Sequence, residues 1–206
     1  MLTQVDDPQL ADGAVWENTE LRGELMGRSA FGVEISGCRL VGLRLTGLKL
    51  PGLRIRDCVL ENCELSGAIL EEAAWTRVQL VECRLSGTVL AAARFRDVRF
   101  VRCRLDGLVA RMLETEQLQF DECQLAKADF YAAKLVNARI FDCDLTGADF
   151  SQAKLAGARL HGSELAGVLG GHAFAGTMIE PAQSLQMAMV TFAALNILVT
   201  DERTDC

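Results

Sequence analysis

Histidine is nearly absent. The 206-residue chain holds two, His161 and His172, together with one tyrosine and three prolines. Two imidazoles leave little material for His-based proton transfer or for a metal centre. Long apolar runs are missing too. No stretch approaches the roughly 18 residues that a transmembrane helix requires, so no membrane association is expected. The N-terminal stretch Met1–Asp12 is acidic and has no apolar core, so a signal peptide is not expected and the expected location is cytoplasmic. Basic charge is in deficit: 21 Lys and Arg against 28 Asp and Glu give a net charge of −7. That argues against direct nucleic-acid binding, which needs a basic surface. No nucleophile–base pair, phosphate loop or metal-ligand cluster appears, so neither an enzyme nor a cofactor nor a metal is expected.

What is present is a repeat. Every residue whose number is a multiple of five, from Leu25 to Leu165, forms a column of 29 positions. In that column 25 are Leu, Ile or Phe, and the exceptions are Ala30, Trp75, Ala110 and Thr115. The positions two residues earlier, from Gly23 to Ser163, are Ala, Cys, Val, Leu, Ser or Thr at all but Gly23 and Arg28. Between Ser29 and Leu165 no charged residue enters either column. A helix repeats every 3.6 residues and a simple strand every two. Two inward positions in every five fit neither.

A longer period lies on the first. Cys63, Cys83, Cys103, Cys123 and Cys143 are spaced by 20, as are Gly47, Gly67, Gly87 and Gly107, with Lys127 in the gap before Gly147 and Gly167. Twenty is four fives. The chain is therefore expected to close a four-sided coil every 20 residues and to stack each coil on the last, about 4.8 Å apart. About seven coils make a rod roughly 34 Å long.

The units Ala128-Asp129-Phe130, Ala148-Asp149-Phe150-Ser151 and Cys63-Glu64-Leu65-Ser66-Gly67 resemble those of the pentapeptide-repeat family. The resemblance implies an all-β solenoid, a right-handed quadrilateral β-helix, over residues 21–168. Residues 1–20 read as a degenerate lead-in. Residues 169–206 read as a C-terminal cap and dimerisation module. There Pro181 opens a candidate helix running to Leu195, too apolar all round for one surface. Ile197-Leu198-Val199 follows as a candidate short strand that would pair across a two-fold axis. Leu185, Met189, Phe192, Leu195, Ile197 and Val199 are the expected homodimer contacts. This segment is similar to the dimerisation module of Qnr- and MfpA-type proteins. A wholly intramolecular cap is the alternative.

The cysteine column could hold metal or disulfides, but it lacks the close pairs of zinc sites, and parallel neighbours disfavour a disulfide. It reads as a ladder of small buried hydrophobes. Trp75 reads as packed in the axis or displaced at a bend. Ala110 and Thr115 suggest a weakened or kinked coil near Leu108–Thr115.

Charge gathers toward the C-terminal half. Residues 104–206 hold 14 acids and 8 bases. The period places Asp129 with Asp149, Asp144 with Glu164, and Asp121, Glu122 and Asp142 together, on three faces. Arg39, Arg99, Arg139 and Arg159 align on one face. Similarity to the Qnr/MfpA-type subgroup implies a non-enzymatic mimic of DNA. It would bind a type II topoisomerase, DNA gyrase or topoisomerase IV, in place of the duplex through these acids. It would inhibit the enzyme, or protect it from quinolones or peptide toxins. A general protein-interaction scaffold with an unrelated target is the alternative.

Overall fold

The computed structural model describes residues 2–25 and 29–200; Arg28 and the segment 201–206 lie outside them. The chain winds as a parallel β-solenoid of about seven turns, closed at its C-terminal end by one short helix. Its strands are β1 (Thr3–Asp6), β2 (Val15–Glu17), β3 (Thr19–Arg22), β4 (Glu34–Ser36), β5 (Arg39–Val41), β6 (Arg54–Glu61), β7 (Ala74–Val81), β8 (Arg94–Val101), β9 (Glu114–Asp121) and β10 (Arg139–Phe141). All pairings are parallel, and from β5 onward the register advances by 20 residues: Leu40 lies on Leu60, Leu60 on Leu80, Leu80 on Phe100 and Phe100 on Phe120.

The period of five has a backbone cause. Every fifth residue from Gly32 to Gly167 has a positive φ, between 50° and 74°. Each such residue turns a corner in the left-handed region, and four of them close the coil. Glycine adopts this conformation without strain, which accounts for the glycine column at one corner. We number the walls by their central residue: wall 1 holds Leu60 and Leu80, wall 2 Leu65 and Leu85, wall 3 Leu70 and Leu90, and wall 4 Trp75 and Phe95. The corner between walls 4 and 1 is rounded, and β6 to β9 each run across it unbroken.

Both apolar columns point inward. Every described member of the axial column from Leu25 to Leu165 is buried except Thr115, which is half-buried. Stacked on neighbouring coils, axial rings meet face to face: Trp75 on Phe95 at 4.7 Å, Phe100 on Phe120 at 4.8 Å and Phe130 on Phe150 at 5.1 Å between centroids. Trp75 is thus packed in the core. The seven described cysteines are free and buried. Each thiol of the ladder lies against backbone; the Cys63 N–H donates to Cys83 Sγ at 3.4 Å, and Cys123 N–H to Cys143 Sγ at 3.4 Å. Burial pushes the Cys58 thiol up to about 11, away from the thiolate form that metals and oxidants need.

Two expectations are corrected. The lead-in is part of the tube: Val5 pairs with Leu21 sixteen residues on, and Leu21 with Leu40 nineteen residues on. These first coils are shorter than 20, so a fixed period misses them. No kink interrupts Leu108–Thr115; Ala110 N–H reaches Asp129 O at 2.7 Å and Met112 N–H reaches Tyr131 O at 2.9 Å, as in every other coil. What changes there is side-chain volume, because Thr115 stands in line between Phe95 and Leu135. Ile197–Val199 carries no strand in the single chain; the pairing expected of it needs a second copy across a two-fold axis.

The cap is built to close an open sheet end. A single turn of 3-10 helix, Pro181–Gln183, leads into α1 (Ser184–Ala194). Gln183 is buried, and its Nε2 donates to the carbonyls of Leu160 and Ser163, both at 2.6 Å. Gln186 Oε1 accepts the N–H of Leu165 at 3.1 Å. These two side chains satisfy backbone groups that a further coil would have bonded. Val190 is buried and Met187 packs against the core.

Candidate protein-interaction surface

The residue just before each axial position points outward, and in the last complete coils this column is sorted by sign. Asp129 lies on Asp149 on wall 3, and Asp144 on Glu164 on wall 2. Lys134 lies on Lys154 on wall 4, and Arg139 on Arg159 on wall 1. Glu122 and Asp142 stack at the exposed corner between walls 1 and 2, with φ of 52° and 53°. The acids therefore form an arc from that corner across wall 2 to wall 3, interrupted at the corner between walls 2 and 3 by the exposed Lys127, whose stem lies over Gly147, and the four stacked bases occupy the opposite side.

The seven candidate acids are not equivalent. Asp121 is held by Arg99 at 2.7 Å, a diagonal pair spanning 22 residues. Asp129 is held by Arg111 at 2.5 Å. Both charges are neutralised locally. Asp144, Asp149 and Glu164 stand outside the ion pairs, and each serves its own turn. Asp144 Oδ1 accepts the Thr146 N–H at 2.9 Å, Asp149 Oδ1 the Ser151 N–H at 2.7 Å and Glu164 Oε1 the Ala166 N–H at 3.3 Å. An acid at this position thus caps a corner as well as carrying charge. Asp142, Glu122 and Glu164 are exposed; Asp144 and Asp149 are half-buried.

Apart from Arg22–Glu20, which lies within β3, the ion pairs elsewhere run from coil to coil. Arg77 bonds Asp57 (Nη2 to Oδ2, 2.7 Å), and Lys134 bonds Glu114 at 2.5 Å. The hydrogen bond from Arg77 holds the Asp57 carboxyl below its ordinary value, and Lys134 does the same for Glu114. Being solvent-exposed, such pairs fix register more than they add stability. The Arg39, Arg99, Arg139 and Arg159 column lies on wall 1.

The candidate dimer contacts lie together at the cap. Leu185, Met189, Leu195, Ile197 and Val199 are exposed, with Leu185 at 77%, and Phe192 is half-buried. Leu198, 88% exposed, extends the same apolar end. The spacing rules did not foresee the pairing of Asp121 and Asp129, because their partners sit 22 and 18 residues away rather than 20.

Comparison with known proteins accords with this geometry. The description "Pentapeptide repeat region" matches residues 53–130 and 73–150, and "Pentapeptide repeats (8 copies)" matches residues 143–168. No curated protein sequence matches the chain. Among solved structures, HetL, a pentapeptide repeat protein involved in heterocyst differentiation regulation in the cyanobacterium Nostoc, superposes with a TM-score of 0.54 at 20% identity, covering 81% of this chain and 84% of its own. A trypsin-treated variant of QnrB1, a plasmid-mediated fluoroquinolone resistance protein, gives a TM-score of 0.51 at 19% identity, covering 96% and 95%. At such identities the likeness concerns the fold. Repeat, corner geometry and matched region agree, and the chain belongs to the pentapeptide-repeat family.

Proposed function

We propose that this protein is a non-enzymatic DNA mimic that binds a type II topoisomerase, DNA gyrase or topoisomerase IV, on the surface that otherwise holds duplex DNA. The observation that carries the reading is the arc of stacked acids, Glu122, Asp142, Asp144, Asp149 and Glu164, beside the exposed apolar cap. Two copies joined through Leu185, Met189, Phe192, Leu195, Ile197 and Val199 would bring two acidic arcs to the centre of a rod about 70 Å long. Duplex DNA of that length spans about 20 base pairs. Similarity of fold to QnrB1, which its description calls a fluoroquinolone resistance protein, supports the choice of enzyme. A scaffold for an unrelated protein target is the competing reading.

The test uses substitutions that remove charge but keep the corner acceptors. Asp144→Asn, Asp149→Asn and Glu164→Gln each retain an oxygen for the turn N–H. The intact protein should inhibit supercoiling by gyrase, or relieve its poisoning by a quinolone, at micromolar concentration. The triple variant should fold normally and lose at least about tenfold in potency, equivalent to about 1.4 kcal/mol. No effect of the intact protein with or without the quinolone removes the topoisomerase reading and leaves the scaffold.

A further inference from the structure

Wall 3 carries two outward columns, one on each side of its axial residues. In the first, Lys49, Ile69, Val89, Val109 and Asp129 lie one on the next through parallel bridges. In the second, Pro51, Glu71, Ala91, Arg111 and Tyr131 stack through backbone bonds such as Ala92 N–H to Arg111 O at 2.8 Å. Ile69, Val89 and Val109 are half-buried, while Tyr131 and the neighbouring Met112 are 43% and 55% exposed. The corner between walls 2 and 3 bears no side chain at Gly47, Gly67, Gly87 or Gly107, so this edge of the wall is unobstructed.

The two columns are self-complementary. A two-fold axis lying in the face, along the strands and through Val89 and Ala91, sets each column against itself in reversed order. Val89 then meets Val89 of the second copy, and Ala91 meets Ala91. Ile69 meets Val109, Pro51 meets Tyr131, Glu71 meets Arg111 and Lys49 meets Asp129. Among the described residues Lys49 and Glu71 stand outside the ion pairs, whereas Arg111 and Asp129 already bond each other. The pairing extends that bond into a chain of alternating charges, Lys49–Asp129–Arg111–Glu71. Sliding the rods by one coil loses the match, because Ile69 then falls on Asp129 or Lys49 on Val109. The three bases of the strip, Lys49, Arg111 and Lys127, balance its three acids, Glu71, Glu72 and Asp129. Wall 3 therefore carries no net charge to oppose association, although the whole chain carries −7.

We propose that wall 3 is a self-association face, on which a second copy of this chain lies side by side as an antiparallel rod about Val89 and Ala91. The strip from Lys49 to Asp129 is four coil spacings, about 19 Å, long and one wall wide, less than the roughly 800 Å² per partner of a standard interface, so the pairing is weak and reversible. It uses none of the cap residues and does not depend on the topoisomerase reading.

The test is cross-linking on the two-fold axis, where a residue faces its own copy. Ala91→Cys is treated with a short bis-maleimide at high protein concentration in a Cys206→Ser background, since the seven described cysteines are buried. A covalent dimer is expected. An end-to-end dimer through the cap would keep the two Ala91 positions at least about 38 Å apart, beyond the linker. Val101→Cys, on wall 1, should stay monomeric. In the Ala91→Cys protein, Glu71→Arg should cut the yield at least about fivefold, since the two-fold axis repeats its repulsion against Arg111, and adding Arg111→Glu should restore it. The proposal is overturned if Ala91→Cys gives no more dimer than Val101→Cys, if Glu71→Arg leaves the yield unchanged, or if Arg111→Glu fails to restore it.

Discussion

Phe130→Lys is expected to abolish the cooperative unfolding transition and leave an unfolded or aggregated chain. Phe130 is fully buried on the axis, stacked on Phe150 at 5.1 Å and edge-on to Phe120 at 6.4 Å. Losing a buried phenylalanine costs about 3–5 kcal/mol. An unpaired ammonium in its place adds several more, since no described carboxylate reaches the axis. Against a stability of about 5–15 kcal/mol, that removes most or all of the margin. A coil touches only its neighbours, so damage at Phe130 uncouples the coils on either side. Circular dichroism during urea titration reads the outcome. Phe130→Leu, a change the column accepts at most other positions, should retain a single sharp transition. A folded Phe130→Lys protein would mean that this column does not face the interior.

Gly171→Leu is expected to detach the cap. A Cβ built on Gly171 would meet the Ala194 methyl and the Val190 carbonyl at 2.7 Å, closer than side chains pack. Backbone of α1 lies behind that contact, so the helix itself must move. Its departure would expose Phe174 and strip Gln183 from the Leu160 and Ser163 carbonyls. Unpaired sheet ends of this kind recruit other chains. Gly171→Leu should therefore aggregate on size-exclusion chromatography and lose hydrogen-exchange protection across Ser184–Ala194. Gly47→Ala, where an added Cβ meets nothing within 4 Å, should stay soluble apart from modest strain at its φ of 64°. A soluble Gly171→Leu protein with protected helix amides would contradict this account of the cap.

The tube was legible because its constraint is local and repeated. Each coil needs an inward side chain at Leu60, Leu65, Leu70 and Trp75 and a left-handed residue two positions after each, so the chain spells the same rule from Ala30 to Leu165. Residues 3–22 obey the same physics on coils of sixteen and nineteen residues, and a comb of fixed spacing slides off them. The sorting of Asp144 and Glu164 from Arg139 and Arg159 followed from register alone. The capture of Asp121 by Arg99 and of Asp129 by Arg111 did not, because long arginines reach diagonally to a carboxylate on the next coil. Thr115 stood out in the sequence as a fault in the coil. It proves to be a change of volume on an unbroken backbone ladder.

Direct competition is the sharpest measure of the acidic arc as a stand-in for DNA. Gyrase bound to a fluorescent duplex is titrated with this protein, and the released duplex is followed by anisotropy at rising salt. The account predicts that one ligand displaces the other, that displacement weakens as salt screens the arc, and that the Asp144→Asn, Asp149→Asn, Glu164→Gln variant displaces poorly. Simultaneous binding of duplex and protein to the enzyme, or displacement indifferent to both salt and these three charges, would contradict it.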